Sequence, residues 1–339
     1  MACPIGDVRT ALERYGPDRC DAVGEPEARA WCRALAWGHY ENFSVLSSLV
    51  PKELRDDFGA VYAFCRWSDD LGDEIGSRER SLELLAWWRG ELEACLAGHP
   101  RHPVFVALAP TVRRHDLPGE PFDRLIRAFE RDQVQSRYAT WDDLIDYCRG
   151  SADPVGRIVL MLLGEPREES LFALSDRICT ALQLTNHWQD IRRDFVERDR
   201  IYVPADLVSI ADFERRLGET IRLGHSCDKT FFDESRKLVR SLVARTWTLF
   251  EEGEALLDRL GARSMPLVWL LAAGGCRTLQ QIELWNCETV LHRPYLSKFT
   301  KLLLVIQAQW MRVTGSRPAP SKTPSHPAPA AVGEAGGAP

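Results

Sequence analysis

Hydrophobic residues recur along most of this chain at steps of three and four, the period of a helix with one buried face. On that period the sequence predicts helices over 27–50, 51–74, 79–97, 101–115, 120–137, 140–163, 167–195, 209–223, 228–260, 264–291 and 294–312. Turn signals such as Gly98-His99-Pro100, Leu117-Pro118-Gly119 and Gly164-Glu165-Pro166 separate several of them. Period-two alternation is scarce, so the expected fold class is all-α. A single helical domain is expected over 28–312, after an N-terminal extension at 1–27 and before a Pro/Ala-rich tail at 313–339 whose composition predicts disorder. The run Leu302 to Ile306 reads as core, with a surface patch as the alternative.

Two of the predicted helices carry a stripe that burial alone does not need. Ile178, Leu184, Trp188, Ile191 and Phe195 make an apolar face, yet Gln183, Asn186, Asp190, Arg193 and Asp194 align beside it at helical steps. Such a stripe must look at water, at a partner or into a cavity. Around position 66, Tyr62, Arg66, Asp69 and Asp73 share a face flanked by Val61, Phe64 and Cys65. Both segments therefore present D-x-x-x-D. Carboxylates one turn apart repel each other unless a cation lies between them, and Mg²⁺ suits such pairs because it takes few carboxylates and fills its octahedron with water and phosphate oxygens. Two pairs on facing helices would hold metal against a diphosphate and stabilise it as a leaving group. A third match, Asp142 and Asp146, serves as a control: it opens its helix, lacks aligned Asn, Gln or Arg, and is expected to face water.

Composition narrows the rest. A net charge of −6 and a pI near 5.8, with no basic stripe, argue against nucleic acid as a partner. The ten cysteines include no C-x-x-C pair, so they read as reduced, mostly buried thiols of a cytoplasmic protein. Signal-peptide and membrane-spanning patterns are absent; peripheral contact with a membrane, at its inner face, stays open. Neither G-x-G-x-x-G, a P-loop nor G-x-S-x-G occurs, so the chemistry falls to side chains on facing helices.

The pair Y-A-F-C-R-W-S-D-D-L-G-D-E and Q-L-T-N-H-W-Q-D-I-R-R-D-F, followed by R-I-Y-V-P at 200–204, resembles the squalene/phytoene synthase family over residues 28 to 290. H-Y-E-N-F-S-V at 39–45, Y-C-R-G-S-A-D-P-V-G-R at 147–157 and N-H-W-Q-D are similar to its hydroxysqualene synthase branch, from bacterial hopanoid pathways. The resemblance implies an isoprenoid-synthase-type bundle around a central cavity, Mg²⁺ as cofactor, and presqualene diphosphate or farnesyl diphosphate as the prenyl diphosphate partner. Other squalene-pathway enzymes are further candidate partners. It implies Asp69, Asp73, Asp190 and Asp194 as metal ligands, with Asp70 assisting. Tyr62, Asn42, Asn186, Arg157, Arg200 and Tyr202 fall at the substrate, Gln183 on the cavity wall, and Arg66 and Tyr147 among the catalytic residues. Two departures stand out: Gln189 replaces the family's Arg, and Ser151-Ala152-Asp153 replaces Val-Ala-Gly. Asp153 reads either as the group that orients a capturing water or as the cap of a helix begun by Pro154. Phe43 and Trp188 are the rings expected nearest the motifs. The branch implies conversion of presqualene diphosphate and water to hydroxysqualene. The alternatives are squalene or dehydrosqualene synthesis from two farnesyl diphosphates and a non-catalytic assembly factor of the same fold.

Overall fold

Several helices in this structure begin where a short polar side chain takes an unpaired amide. Ser77 accepts from the Arg80 amide, Asp228 from that of Phe231 and Ser297 from that of Thr300, while Thr140 and Asp143 form a reciprocal capping box. The computed structural model describes residues 8–39, 49–225 and 228–315, side chains of 37–39 excepted. The N-terminal half carries α1 (Val8–Tyr15), α2 (Glu25–His39), α3 (Arg55–Asp73), α4 (Arg78–Leu96), α5 (Pro103–His115), α6 (Glu120–Val134), α7 (Trp141–Ser151) and α8 (Asp153–Leu162). The C-terminal half carries α9 (Glu169–Gln189), α10 (Ile191–Arg198), α11 (Phe213–Leu223), α12 (Lys229–Gly253), α13 (Leu256–Arg259), α14 (Met265–Leu284) and α15 (Lys298–Thr314). Among the described residues there is no β-strand, only two isolated bridges.

Two hydrophobic cores share this bundle. One is centred on α3, α4 and α5, where Phe64, Trp67, Trp88, Phe105 and Phe122 are fully buried and Phe64 meets Phe122 edge-on at 5.1 Å. The other lies around α9, α12 and α14, with Leu184, Trp188, Leu242 and Leu279 enclosed. Burial of such side chains stabilises the fold by roughly 1.5–3 kcal/mol each. The short α8 joins the cores, giving Ile158 to the first and Leu160 to the second. Its Gly156 lets it press on α9: a Cβ there would stand 2.4 Å from Cys179 Sγ and 2.5 Å from Ser175 Oγ.

The differences from the expected elements have local causes. The helix expected over 140–163 breaks at Ala152, where the ring of Pro154 removes an amide from the ladder. The one over 167–195 breaks at Asp190, which leaves helical geometry at φ −108° and ψ 16°. The one over 264–291 stops at Leu284, and 285–297 becomes an irregular strap in which Asn286 and Cys287 adopt left-handed φ of 55° and 56°. Part of the expected N-terminal extension is helical, since α1 buries Val8, Ala11 and Tyr15. The run 302–306 is not core throughout: Leu304 is buried, but Leu302, Leu303 and Ile306 are exposed. Among the described residues no helix is long and apolar enough to cross a membrane. The segment after Gly315 lies outside them.

Candidate active site

Helices α3, α6, α7, α9 and α10 surround a cavity of about 350 Å³ at the junction of the two cores. The steps of four, three and four that align Tyr62, Arg66, Asp69 and Asp73 turn all four into it from α3. From the opposite side come Gln183 and Asn186 of α9, Asp190 at the break, and Asp194 of α10. Arg200 and Tyr202 close it from the segment after α10, and Tyr147 from α7. The control pair behaves otherwise: Asp142 and Asp146 are exposed, and Asp146 pairs with Arg131 at 2.9 Å.

Each of the four motif aspartates has a guanidinium partner. Asp69 accepts from Arg66 at 3.2 Å, Asp73 from Arg198 and Arg200 at 2.9 Å each, and Asp190 from Arg293, one contact measuring 3.0 Å. Asp194 lies 3.8 Å from Arg198. Even so, burial and the charge of Asp73 hold Asp69 up at about 6, and burial and the charge of Asp190 hold Asp194 at about 7. Burial also lifts Asp70 to about 6; it pairs with Arg66 and is turned away from the cavity lining. Four hard oxygen donors in one cavity, two of them destabilised as anions by each other's neighbours, fit a divalent ion such as Mg²⁺. Arg66 Nε and Ser151 Oγ are buried at the cavity wall without a partner among the described residues, which suits a polar ligand.

Sequence reasoning missed the centre of the far wall. Asp132 of α6 accepts from the Tyr147 hydroxyl at 2.8 Å and the Tyr202 hydroxyl at 3.3 Å, and its backbone carbonyl accepts from Arg200 at 3.3 Å. Burial raises Asp132 to about 7, and burial together with the negative charge of Asp132 pushes both tyrosines well above their ordinary range. His187 stacks on Tyr202 at 3.7 Å; burial, aided by the charge of Arg200, lowers it to about 3, so it is a neutral ring rather than an acid at neutral pH. Arg198 and Phe129 are further lining residues that the motifs did not name, and His187 and Ser151, which lie inside the quoted motifs, line it too.

The squalene/phytoene synthase family matches residues 37–300, well over half of the chain. The chain belongs to the squalene/phytoene synthase family. That membership makes it a prenyl-diphosphate-processing enzyme, and family enzymes generally use divalent metal ions. It is 40% identical over 176 residues to the hydroxysqualene synthase of Zymomonas mobilis subsp. mobilis, a match covering 50% of this chain and 57% of that one. The hydroxysqualene synthase of Sinorhizobium fredii is 32% identical over 67% of this chain and 74% of its own. In structure it resembles squalene synthase HpnC from Alicyclobacillus acidocaldarius, at 42% identity and a TM-score of 0.67 over 77% of this chain and 94% of that one.

Not every residue expected from the family resemblance reaches the cavity. Arg157 is drawn away by Asp176 and Glu169 at 2.5 and 2.8 Å and does not line it. Trp188 is fully buried and donates to Thr246 at 2.8 Å, a packing role. Asn42 and Phe43 lie outside the described residues. Gln189 donates to the Pro294 carbonyl beside the Arg293–Asp190 pair, so the strap brings a guanidinium close to where the family's own Arg would sit.

Asp153 is neither cap nor wall. The cap position falls on Ala152, and the Asp153 carboxylate is buried behind the lining, accepting from Thr180 at 2.9 Å. Burial and the charge of Asp176 raise it to about 7, above its value in the unfolded chain. Its stabilising contribution is therefore full below the ordinary carboxylate range near ~4 and is lost as pH rises through about 7. Asp153→Asn keeps an acceptor for Thr180 without the charge. The variant is expected to match wild type near pH ~3 and to exceed it at pH ~8 by on the order of 1–3 kcal/mol in urea unfolding. A difference that stays constant with pH would show that the carboxylate does not titrate in this window.

Proposed function

We propose that this chain converts presqualene diphosphate and water to hydroxysqualene and diphosphate. The observation that carries the reading is the convergence of Asp69, Asp73, Asp190 and Asp194 with Arg66, Arg198 and Arg200 on one cavity. Mg²⁺, held by those four aspartates, would supply the charge that turns a diphosphate into a leaving group. Arg66, Arg198 and Arg200 then bind the departing oxygens. Tyr147, Tyr202, Phe129 and the neutral His187 line the wall where a cyclopropylcarbinyl cation needs electron-rich neighbours. Water capture, rather than reduction, is supported by Ser151: its buried hydroxyl has no partner among the described residues and lines the cavity, at a position where the wider family has an apolar residue. The relatives called hydroxysqualene synthase support the same product.

The test is product analysis with Mg²⁺ and either presqualene diphosphate or farnesyl diphosphate, each with and without NADPH. Hydroxysqualene from presqualene diphosphate, independent of NADPH, is expected. Formation of squalene or dehydrosqualene from farnesyl diphosphate would move the assignment to the second reading, which the solved relative described as a squalene synthase favours.

The outer face of α15 supports peripheral contact with an anionic membrane surface. Phe299, Leu302, Ile306, Trp310 and Val313 are exposed at steps of three and four, and the helix contains Lys298, Lys301 and Arg312 but no acidic residue. The double substitution Ile306→Glu and Trp310→Glu is expected to weaken co-sedimentation with anionic vesicles by about tenfold or more, while turnover of detergent-dispersed substrate stays near wild type. Unchanged co-sedimentation would exclude α15 as the contact.

A further inference from the structure

Outside the cavity, His225, Glu288 and His292 offer two ring nitrogens and a carboxylate oxygen that all lie within 4.8 Å of one another. We propose that these three side chains form a second metal site, selective for a borderline transition ion of the Zn²⁺ class. Two imidazoles and one carboxylate are a donor set that zinc accepts with a position left for water, and that Mg²⁺, which favours oxygen alone, does not.

The surroundings are built for it. Glu288 is only 4% exposed, a costly place for a carboxylate without strong partners. One of its oxygens accepts from the Leu291 amide at 2.8 Å, and the other meets His292, so the group is oriented on both sides. It is delivered by the consecutive left-handed residues Asn286 and Cys287, the first of which is tied to Arg240 at 2.6 Å. The ring of His225 lies nearly parallel to that of His292, their centroids 5.2 Å apart, and Trp285 and Phe232 wall the two rings. Zinc–nitrogen bonds of about 2.0–2.1 Å put tetrahedral donors near ~3.4 Å from each other, so closure requires a short inward movement. His225, exposed on the turn between α11 and α12, is the ligand placed to make it. Glu288 and His292 belong to the strap that also carries Arg293 to Asp190, so metal here would staple the strap to the α11–α12 turn.

The experiment is calorimetric titration of ZnCl₂ into chelator-treated full-length protein with Mg²⁺ in large excess. One equivalent is expected to bind, with affinity reduced more than about tenfold in His225→Ala, His292→Ala and Glu288→Gln. Binding is expected to persist in Asp69→Asn and Asp190→Asn, which separates this site from the cavity. Co²⁺ in place of Zn²⁺ is expected to give the visible bands of a four- or five-coordinate ion, lost in the same three variants. Titration heats no larger than those of the His225→Ala/His292→Ala double variant, with its circular dichroism unchanged, would overturn the proposal. So would binding abolished by thiol alkylation but not by either His substitution.

Discussion

Asp69→Asn and Asp190→Asn are each expected to lower turnover on the order of a hundred- to a thousand-fold, the scale of losing one preorganised charge from a reacting site. Folding should survive, because both residues open onto the cavity and neither is part of a core. In Asp69→Asn the destabilising neighbour of Asp73 disappears, so thermal stability is expected to hold or rise slightly. In Asp190→Asn the pair with Arg293 weakens, and the strap rather than the bundle should loosen. Turnover, circular dichroism and melting curves on the same preparations check this. Wild-type turnover in either variant, or activity undiminished in EDTA, would remove the four-aspartate centre from the reaction.

The second large effect is expected at Asp132. Alanine there leaves the hydroxyls of Tyr147 and Tyr202 without their shared acceptor inside the protein. Removing one member of a buried charged network costs about 3–5 kcal/mol, so Asp132→Ala should be strongly destabilised in urea. Asn retains one acceptor oxygen and is expected to recover most of that stability. Turnover should fall in both variants, since Tyr147 loses the bond that fixes its ring on the cavity wall. An alanine variant as stable as wild type would show that the two tyrosines are held by packing alone.

The two aspartate pairs were legible because the helical period itself says which residues share a face. Asp132 left a fainter trace: the apolar stripe Phe122, Leu125, Ile126 and Phe129 continues at steps of three and four onto Asp132 and Gln133, placing a carboxylate where core is due. Arg293 left none, since its contact with Asp190 spans 103 positions and depends on how the strap crosses the bundle. Arg157 was carried over from the family resemblance and Asp153 departs from it, and pairing decided both: Asp176 and Glu169 claim the first, Thr180 the second. The break at Ala152 was announced by Pro154, whereas that at Asp190 has neither proline nor glycine to mark it.

The guanidinium partners of the four aspartates have a thermodynamic consequence. A cation arriving alone must pull carboxylates from Arg66, Arg198, Arg200 and Arg293, leaving the first three guanidiniums facing one another across the cavity. An anion arriving alone must do the reverse. Together, each ligand receives the partners the other sets free, so cation and diphosphate should bind with positive cooperativity. Reciprocity then requires that saturating inorganic diphosphate tighten Mg²⁺ binding by the same factor by which saturating Mg²⁺ tightens that of diphosphate.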